Sequence, residues 1–224
     1  MNDLEITGRA RTHIVTLDEP RCSLHYEAIA SFLAMRDAAA REGIALAARS
    51  SFRDFATQMT IWNGKWRGER ALRDRSGQLL DRARIDDRDM VDVILSWSSI
   101  PAGSRHHWGT DLDVIDLSAV PPGYEVQLIT EEYDATGIFA RLSSWLEVNL
   151  ARFGFFRPYR NDRGGYCPEP WHLSYAPVAT PALEQLSLAV LRQALTESQM
   201  DGKQFVLDRL PEIYTRYLLN VDAP

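Results

Sequence analysis

Two short segments of the sequence carry side chains that bind metals or transfer protons. Residues 103–117, GSRHHWGTDLDVIDL, contain two histidines and three aspartates, and residues 169–175, EPWHLSY, contain a glutamate and a histidine. Imidazole nitrogens and carboxylate oxygens are ligands of zinc, and a catalytic zinc site uses three protein ligands with one open position. Zinc lowers the pKa of a bound water from about 15.7 to about 7. The two segments therefore predict a site that activates water for hydrolysis.

Spacing alone does not choose the ligands among these residues. The alternating segment DLDVIDL predicts a strand, on which Asp111 and Asp113 share a face. This pattern does not decide between these two aspartates, or between His106 and His107. Seven candidates follow: His106, His107, Asp111, Asp113, Asp116, Glu169 and His172.

Each candidate residue could also have a purely structural or surface role. A pair of adjacent histidines is typical of a surface loop, Glu169 of a solvated loop acid, and His172 of a half-buried, hydrogen-bonded histidine. His13 and His25 lie apart from both segments and are expected to be structural or exposed.

The helices and strands that must position these residues follow one another along the chain in no regular order. Helices are predicted at 24–42, from near Asp54, at 87–99 with Asp87 as N-cap, at 131–152, and after Pro181. Strands are predicted at 44–48, 111–117, 153–159 and 171–175, with a further possible strand at 124–129. A surface excursion is expected over 64–88. The lack of a regular β-α-β order predicts an α+β fold with a small antiparallel sheet flanked by helices.

Length and composition bound the class of protein. The 224 residues suggest one domain spanning 1–224, with a motif-bearing core at about 44–175 and C-terminal helices at about 181–220. The net charge of −6 argues against nucleic acid as a partner. Cys22 and Cys167 form no metal-binding pair and are expected to be free thiols. No membrane span or signal peptide is evident, which predicts a cytoplasmic protein, or a periplasmic or exported one if the natural chain has a further N-terminal segment.

Three segments together resemble one known family. SRHHWGTDLD resembles the Ser-x-His-x-x-Gly-x-x-x-Asp motif of the VanY-like zinc D-alanyl-D-alanine carboxypeptidases, and EPWH resembles their Glu-x-Trp-His motif. SSFRDFATQ resembles the Ser-Gly-Tyr-Arg-Ser-x-x-x-Gln segment that precedes them. The motifs occur in the family's order, and the two histidine motifs are specific in combination. The resemblance covers about residues 44–175 and implies a fold like that of these peptidases and the hedgehog signalling domain.

The resemblance also implies a role for individual residues. It implies that His106, Asp113 and His172 bind one zinc ion per chain. It implies that Glu169 is the general base and that Arg53 is the cationic partner of the reacting carbonyl. Gln58 and Ser104 match positions that contact the terminal residue of the substrate in relatives. Independently of the resemblance, Tyr166, Tyr175 and Trp171 are candidates to line the substrate site, with packing as the alternative for each, and Trp171 is expected to pack so as to fix its loop.

Three positions depart from the family pattern. Phe52 stands where tyrosine is common, Ser51 where glycine is common, and Asp111 where a small residue is usual. The carboxylate of Asp111 could tune the metal or hydrogen-bond a ligand.

The implied function is a zinc carboxypeptidase that removes terminal D-alanine from a peptidoglycan-derived peptide, with D,D or L,D specificity. A peptidoglycan endopeptidase is the first alternative. A non-catalytic zinc-binding module is the second, although it would need neither a base nor an oxyanion partner. A purely structural metal site is the third. Such a site would have four protein ligands and no open position, whereas the sequence offers three good ligands.

Overall fold

The computed structural model describes residues 1–224 and contains ten α-helices and eight strands. The strands are β1 Ile14–Leu17, β2 Cys22–His25, β3 Leu46–Ser50, β4 Leu72–Arg73, β5 Leu79–Leu80, β6 Asp111–Asp116, β7 Phe155–Phe156 and β8 His172–Tyr175. The helices are α1 Asp3–Ile6, α2 Ile29–Arg41, α3 Phe55–Trp66, α4 Asp87–Leu95, α5 Thr130–Tyr133, α6 Ala140–Asn149, α7 Ala176–Gln185, α8 Leu188–Thr196, α9 Lys203–Asp208 and α10 Leu210–Ile213. None of these helices is long and apolar enough to cross a membrane.

The central sheet has four strands in the order β3-β6-β8-β7, and every neighbouring pair is antiparallel. Two small hairpins, β1-β2 and β4-β5, lie outside it. The α+β prediction, with a small antiparallel sheet flanked by helices, is confirmed. Strand β6 lies in the middle of the sheet, and all six of its residues are buried.

Two apolar clusters support the sheet and the segments beside it. In one cluster, Leu112 and Val114 of β6 pack with α2 and α6, which contribute Phe32 and Leu146 among others. The second cluster joins α3 and α4 to the C-terminal helices, and Trp62 lies fully buried within it. Helix α3 is therefore anchored to the C-terminal helices, while the strands are anchored to α2 and α6.

Several predicted elements are present, with boundaries that differ by a few residues; the strands predicted at 44–48 and 153–159 are β3 and β7. Helix α3 begins directly after Asp54, whose side chain accepts a hydrogen bond from Thr57 N at 2.7 Å. The helix predicted at 87–99 is α4, although its N-cap is Asp86 rather than Asp87. The predicted surface excursion contains the β4-β5 hairpin.

The helix predicted at 24–42 begins only at Ile29, because residues 22–25 pair with β1 as a strand. The backbone N–H of His25 also donates to Gly109 O at 2.8 Å. These long-range hydrogen bonds override the local apolar periodicity.

The strand predicted at 124–129 is absent. Leu128 has a φ of 52°, which no strand residue adopts. The Glu132 side chain accepts hydrogen bonds from Gln127 N at 2.8 Å and Ile129 N at 3.4 Å, in place of a strand partner.

The helix predicted at 131–152 is interrupted between α5 and α6. Gly137 lies in the intervening turn, where an added Cβ would stand 2.3 Å from Glu131 O. The side-chain periodicity continued through this turn, so it did not reveal the interruption.

Candidate active site

The sheet register places one aspartate and one histidine side by side. Asp113 of β6 lies directly opposite His172 of β8, and Asp111 lies opposite Ser174. Residues that face each other across an antiparallel pair present their side chains on the same face. On the other side of β6, Asp113 is opposite Ser50, where a bulge shifts the register of β3. The sheet thus brings two of the implied ligands together by backbone geometry alone.

The EPWH segment forms a tight turn that adds the glutamate. The backbone N–H of His172 donates to Glu169 O at 3.0 Å, and Pro170 stands at the second position of this turn, where proline is favoured. The turn folds the Glu169 side chain back onto the histidine, with Glu169 Oε2 3.3 Å from His172 Nδ1. The spacing of this motif therefore has a structural cause.

The second histidine comes from a short 3₁₀ helix, Arg105–Trp108, that precedes β6. His106 Nδ1 lies 2.9 Å from Ser51 O, and Arg53 N donates to His106 O at 3.1 Å. These two bonds tie the 3₁₀ helix to the segment that follows β3. Gly109 ends the helix with a φ of 67°, and a Cβ there would stand 2.6 Å from His25 N.

The hydrogen bonds decide which ring nitrogens are free to bind a metal. A carbonyl oxygen only accepts, so His106 must carry its proton on Nδ1 and leave the Nε2 lone pair facing Asp113 Oδ2 at 3.5 Å. His172 Nε2 donates to the Asp111 carboxylate at 2.9 Å, which leaves Nδ1 facing Asp113 Oδ1 at 3.2 Å. Each of the three residues offers one ligand atom, all within 4.8 Å of one another. Such a cluster of ligand atoms fits a metal cation, and two imidazoles with one carboxylate suit zinc.

The surroundings of this group set its protonation states before a metal binds. Burial lowers the pKa of His172, but its hydrogen bonds to Asp111, Asp113 and Glu169 outweigh burial and raise the pKa well above its ordinary value, so a bound metal would displace the proton from His172 Nδ1. Burial lowers the pKa of His106 to about 3, so its imidazole is neutral at neutral pH. Burial raises the pKa of Asp113, but the two neighbouring histidines outweigh this effect and bring the pKa to about 2. Asp113 is therefore an anion.

Behind His172 lies a buried ion pair that the sequence left unassigned. Arg105 Nε donates to Asp111 Oδ1 at 2.9 Å, and both side chains are almost completely buried. Ser174 Oγ accepts from Arg105 at 2.6 Å and donates to Asp111 at 3.1 Å. This network fixes the ring orientation and the tautomer of His172, which is the usual role of a carboxylate behind a ligating histidine.

Glu169 lies beside this group at the wall of the same cavity. Burial raises the pKa of its carboxyl group, and the nearby His172 opposes that shift. A carboxylate with a raised pKa in a cavity is suited to accept and return a proton.

Arg53 also lines the cavity, with its guanidinium held by two neighbours. Arg53 Nη1 donates to Gln58 Oε1 at 2.7 Å, and Nη2 donates to Ser50 Oγ at 3.1 Å. Gln58 Nε2 in turn donates to Ser99 O at 2.7 Å. Gln58 is completely buried and does not line the cavity, so in this structure it orients Arg53.

The cavity has a volume of about 270 Å³, which is several times the roughly 30 Å³ that a water molecule occupies in the liquid. Of the five candidate substrate-site residues, Ser104, Tyr166 and Trp171 line it, and Tyr175 does not. Sequence reasoning missed two cations in its wall, Lys65 and Arg73, because both lie outside the three motifs.

The remaining histidines are buried and lie outside the predicted ligand set. His107 Nδ1 donates to Arg53 O at 2.6 Å, so His107 braces the backbone of Arg53 rather than lying in a surface loop. His13 Nε2 lies 2.9 Å from His107 O, and the ring of His13 is 5.7 Å from that of His25. Asp116 lies at the opposite end of β6, away from the ligand group.

Comparison with known proteins identifies the family of this chain. Residues 21–178 match the family model of the D-alanyl-D-alanine carboxypeptidases, VanY. An uncharacterized protein of Haemophilus influenzae is 38% identical over 122 residues, which are 54% of this chain and 93% of that protein.

Two solved structures show the same fold at low sequence identity. The LdcB LD-carboxypeptidase superposes with a TM-score of 0.52 and 21% identity, over 87% of this chain and 77% of that one. A variant of the vancomycin resistance D,D-pentapeptidase VanY, in complex with Zn(II), gives a TM-score of 0.50 and 22% identity over 77% and 84% of the two chains. With most of its length matched by the family model, the chain belongs to the VanY family of D-alanyl-D-alanine carboxypeptidases.

Proposed function

We propose that this protein is a zinc-dependent carboxypeptidase that releases terminal D-alanine from peptidoglycan stem peptides. One observation carries the proposal: the ring nitrogens His106 Nε2 and His172 Nδ1 converge on the Asp113 carboxylate, with Glu169 3.3 Å from His172. Membership of the carboxypeptidase family supports the substrate class. The zinc-bound VanY structure and the LD-carboxypeptidase of the same fold support the metal and leave D,D and L,D cleavage open.

In this proposal His106, Asp113 and His172 hold one zinc ion per chain. When bound, the ion would supply Lewis acidity and lower the pKa of a water from about 15.7 to about 7. The three ligands together contribute a single negative charge, which leaves the site with a net positive charge. The buried Asp111 carboxylate supports the third ligand through His172 Nε2.

Glu169 transfers the proton in the proposed reaction. Its carboxylate accepts a proton from the attacking water and later passes it to the amine of the leaving D-alanine. Burial keeps this carboxylate poorly solvated and raises its pKa, so it accepts the proton more readily than an exposed glutamate would.

Arg53 stabilises the negative charge that develops on the carbonyl oxygen. Its bonds to Gln58 and Ser50 hold the guanidinium in place before the reaction, so little reorganisation is needed. Removal of such a donor typically costs about 2.7–4 kcal/mol of transition-state stabilisation, or about 10²–10³ in rate.

The first test measures D-alanine release from a muramyl tetrapeptide and a muramyl pentapeptide by zinc-loaded protein. Release from the pentapeptide alone makes the protein a D,D-carboxypeptidase, and release from the tetrapeptide makes it an L,D-carboxypeptidase. The chelated protein and Glu169→Gln should both lose the activity. Glu184→Gln changes an exposed glutamate of α7 and should retain it.

Zinc binding without release from either peptide would contradict the proposal. Cleavage of cross-linked peptides in that case would indicate an endopeptidase, and no cleavage of any peptide would indicate a binding module.

A further inference from the structure

The cavity wall contains two cations that the proposed chemistry does not use. Lys65 comes from the last turn of α3, and Arg73 comes from the β4-β5 hairpin of the surface excursion. Lys65 Nζ donates to Ser98 Oγ at 2.6 Å, and Arg73 Nη1 donates to Gly77 O at 2.7 Å. Both partners are neutral oxygens, and no carboxylate lies within 4.0 Å of either cation. Most other arginines near this region have an acidic partner, as Arg75 has in Asp162.

The position of Lys65 is costly for a cation without a counterion. Burial lowers the pKa of its ammonium group to about 8. The Glu169 carboxylate opposes this shift, while three nearby arginines, among them Arg53 and Arg73, add to it. An anion that enters the cavity would relieve this repulsion, because it supplies the missing opposite charge.

The hydrogen bonds place Lys65 in a fixed relation to the reacting groups. Arg53 is held by Gln58, whose amide donates to Ser99 O, and Lys65 is bonded to the adjacent Ser98. Ser99 Oγ also accepts from the Tyr166 hydroxyl at 2.8 Å. The segment at 98–99 therefore connects the oxyanion partner to the lysine, so an anion at Lys65 would lie at a defined distance from the scissile bond.

We propose that Lys65 and Arg73, with the hydroxyl of Ser98, form a subsite that binds a carboxylate of the substrate peptide. This inference rests on the proposed function. The carboxylate has two possible sources in a stem peptide: the C-terminal carboxylate of the leaving residue, and the side-chain carboxylate of a diaminopimelate residue. Either one would anchor the peptide beside Glu169 and favour removal of a terminal residue over cleavage within a long chain.

The test measures peptide affinity by calorimetry in zinc-loaded Glu169→Gln protein, so that no turnover interferes. Three probes separate the two sources. The first is a stem peptide with diaminopimelate and a free C-terminus, the second has a C-terminal amide, and the third has lysine in place of diaminopimelate. The affinity lost on amidation or on replacement by lysine identifies the carboxylate that is bound.

In this background, Lys65→Met should lower affinity for the first probe by about tenfold to a hundredfold, the usual range for a lost hydrogen bond to a charged group. Lys65→Met should also abolish the difference in affinity between the first probe and the probe that lacks the bound carboxylate. Lys65→Arg keeps the charge and should retain most of that difference. Arg88→Gln is the matched control, because Arg88 is exposed, does not line the cavity and is not among the arginines that lower the pKa of Lys65, and it should change affinity by no more than about twofold.

If Lys65→Met folds normally and keeps this difference in affinity in full, the subsite proposal is wrong. If the parent protein binds none of the three peptides, the proposed function fails instead. The subsite is then tested alone by NMR titration with N-acetyl-D-alanine and its amide. Shifts of the Lys65 side-chain signals with the acid only would support the subsite, and equal or absent responses to both probes would overturn it.

Discussion

The two ends of strand β6 use the same residue type for different purposes. Asp113 and Asp116 are both buried, at 6% and 3% exposure. Asp116 Oδ1 accepts hydrogen bonds from Ala45 N at 2.9 Å, Ser118 N at 3.0 Å and Ser118 Oγ at 2.6 Å. Asp113 receives no such backbone donor, and its nearest polar neighbours are ring nitrogens of two histidines. A buried carboxylate that is saturated with backbone and hydroxyl donors supports the fold, whereas one that faces imidazole nitrogens can share a metal cation with them.

Asp111 combines both situations within the same strand. Its carboxylate is paired with Arg105 and hydrogen-bonded by Thr110 and Ser174, and it also accepts from a ligating histidine. The comparison thus predicts a graded series: loss of function at Asp113, loss of both function and stability at Asp111, and loss of stability at Asp116.

The largest effect is expected for Asp113→Asn. The neutral amide removes the only anionic ligand, so zinc binding and D-alanine release should both be lost. Activity should fall at least about 10³-fold, since the metal supplies several kcal/mol of charge stabilisation. The melting temperature of the metal-free protein should fall only modestly, because the amide loses the charge that the histidines stabilise but keeps an oxygen facing His172 Nδ1. Metal analysis and thermal melts of chelated protein check this, and a large destabilisation without zinc would contradict the comparison.

Asp111→Asn should weaken zinc binding by about 10–100-fold, the usual effect of removing the carboxylate behind a ligating histidine. It should also destabilise the metal-free protein by about 3–5 kcal/mol, because Arg105 is left buried without its counterion. Competitive zinc titration and urea unfolding measure the two effects separately. Ser174→Ala is the control, since it removes only a neutral member of the network. Unchanged zinc affinity in a folded Asp111→Asn protein would show that the network does not act on the metal.

Asp116→Ala should reduce the free energy of unfolding by about 1–3 kcal/mol, because it leaves buried donors without an acceptor. Zinc affinity and the rate of D-alanine release should remain within about twofold, since a surviving fold keeps Asp113 in register. Denaturant unfolding and activity at a temperature well below the melting point provide the measurement. A selective loss of zinc would place Asp116 in the functional group instead.

The smallest effect is expected at an aspartate far from the site. Asp92 of α4 accepts from Arg209 Nη1 at 2.8 Å and from the Tyr217 hydroxyl at 2.9 Å. Burial raises the pKa of Asp92, but these partners outweigh it and lower the pKa below its ordinary value. The stabilisation is therefore present above the unfolded-state pKa of about 3.9 and is lost as the pH falls through the lower folded-state value.

Asp92→Asn should cost about 0.5–1 kcal/mol at pH 7, because this pair is partly exposed and screened by solvent. The difference in unfolding free energy from the parent protein should shrink towards zero as the pH falls below 4. Urea unfolding across this pH range measures it. A constant difference at all pH values would mean that the charge of Asp92 is not responsible.

Local sequence predicted the elements whose signals are carried by neighbouring residues. The N-cap Asp54 and the apolar pattern after it predicted α3, and the alternation of DLDVIDL predicted β6. Predictions failed where hydrogen bonds to other parts of the chain decided the structure. The Glu132 side chain accepts hydrogen bonds from the backbone N–H groups of residues 127 and 129, which were predicted to lie in a strand. Strand β1 pairs with residues 24–25, which were predicted to be helical. Hydrophobic periodicity depends only on residues that are neighbours in the sequence, so it could not predict these contacts.

By itself the sequence determined the residue types of the site, the α+β class and the family resemblance carried by three ordered motifs. It left open the choice between Asp111 and Asp113 and between His106 and His107. Only the tertiary structure assigned them different places, because the register of β6 against β8 puts Asp113 opposite His172, and the carbonyl of Ser51 fixes the His106 tautomer. The unpaired cations at Lys65 and Arg73 likewise appeared only once the hairpin was folded against α3, since an absent counterion is a property of three-dimensional neighbours.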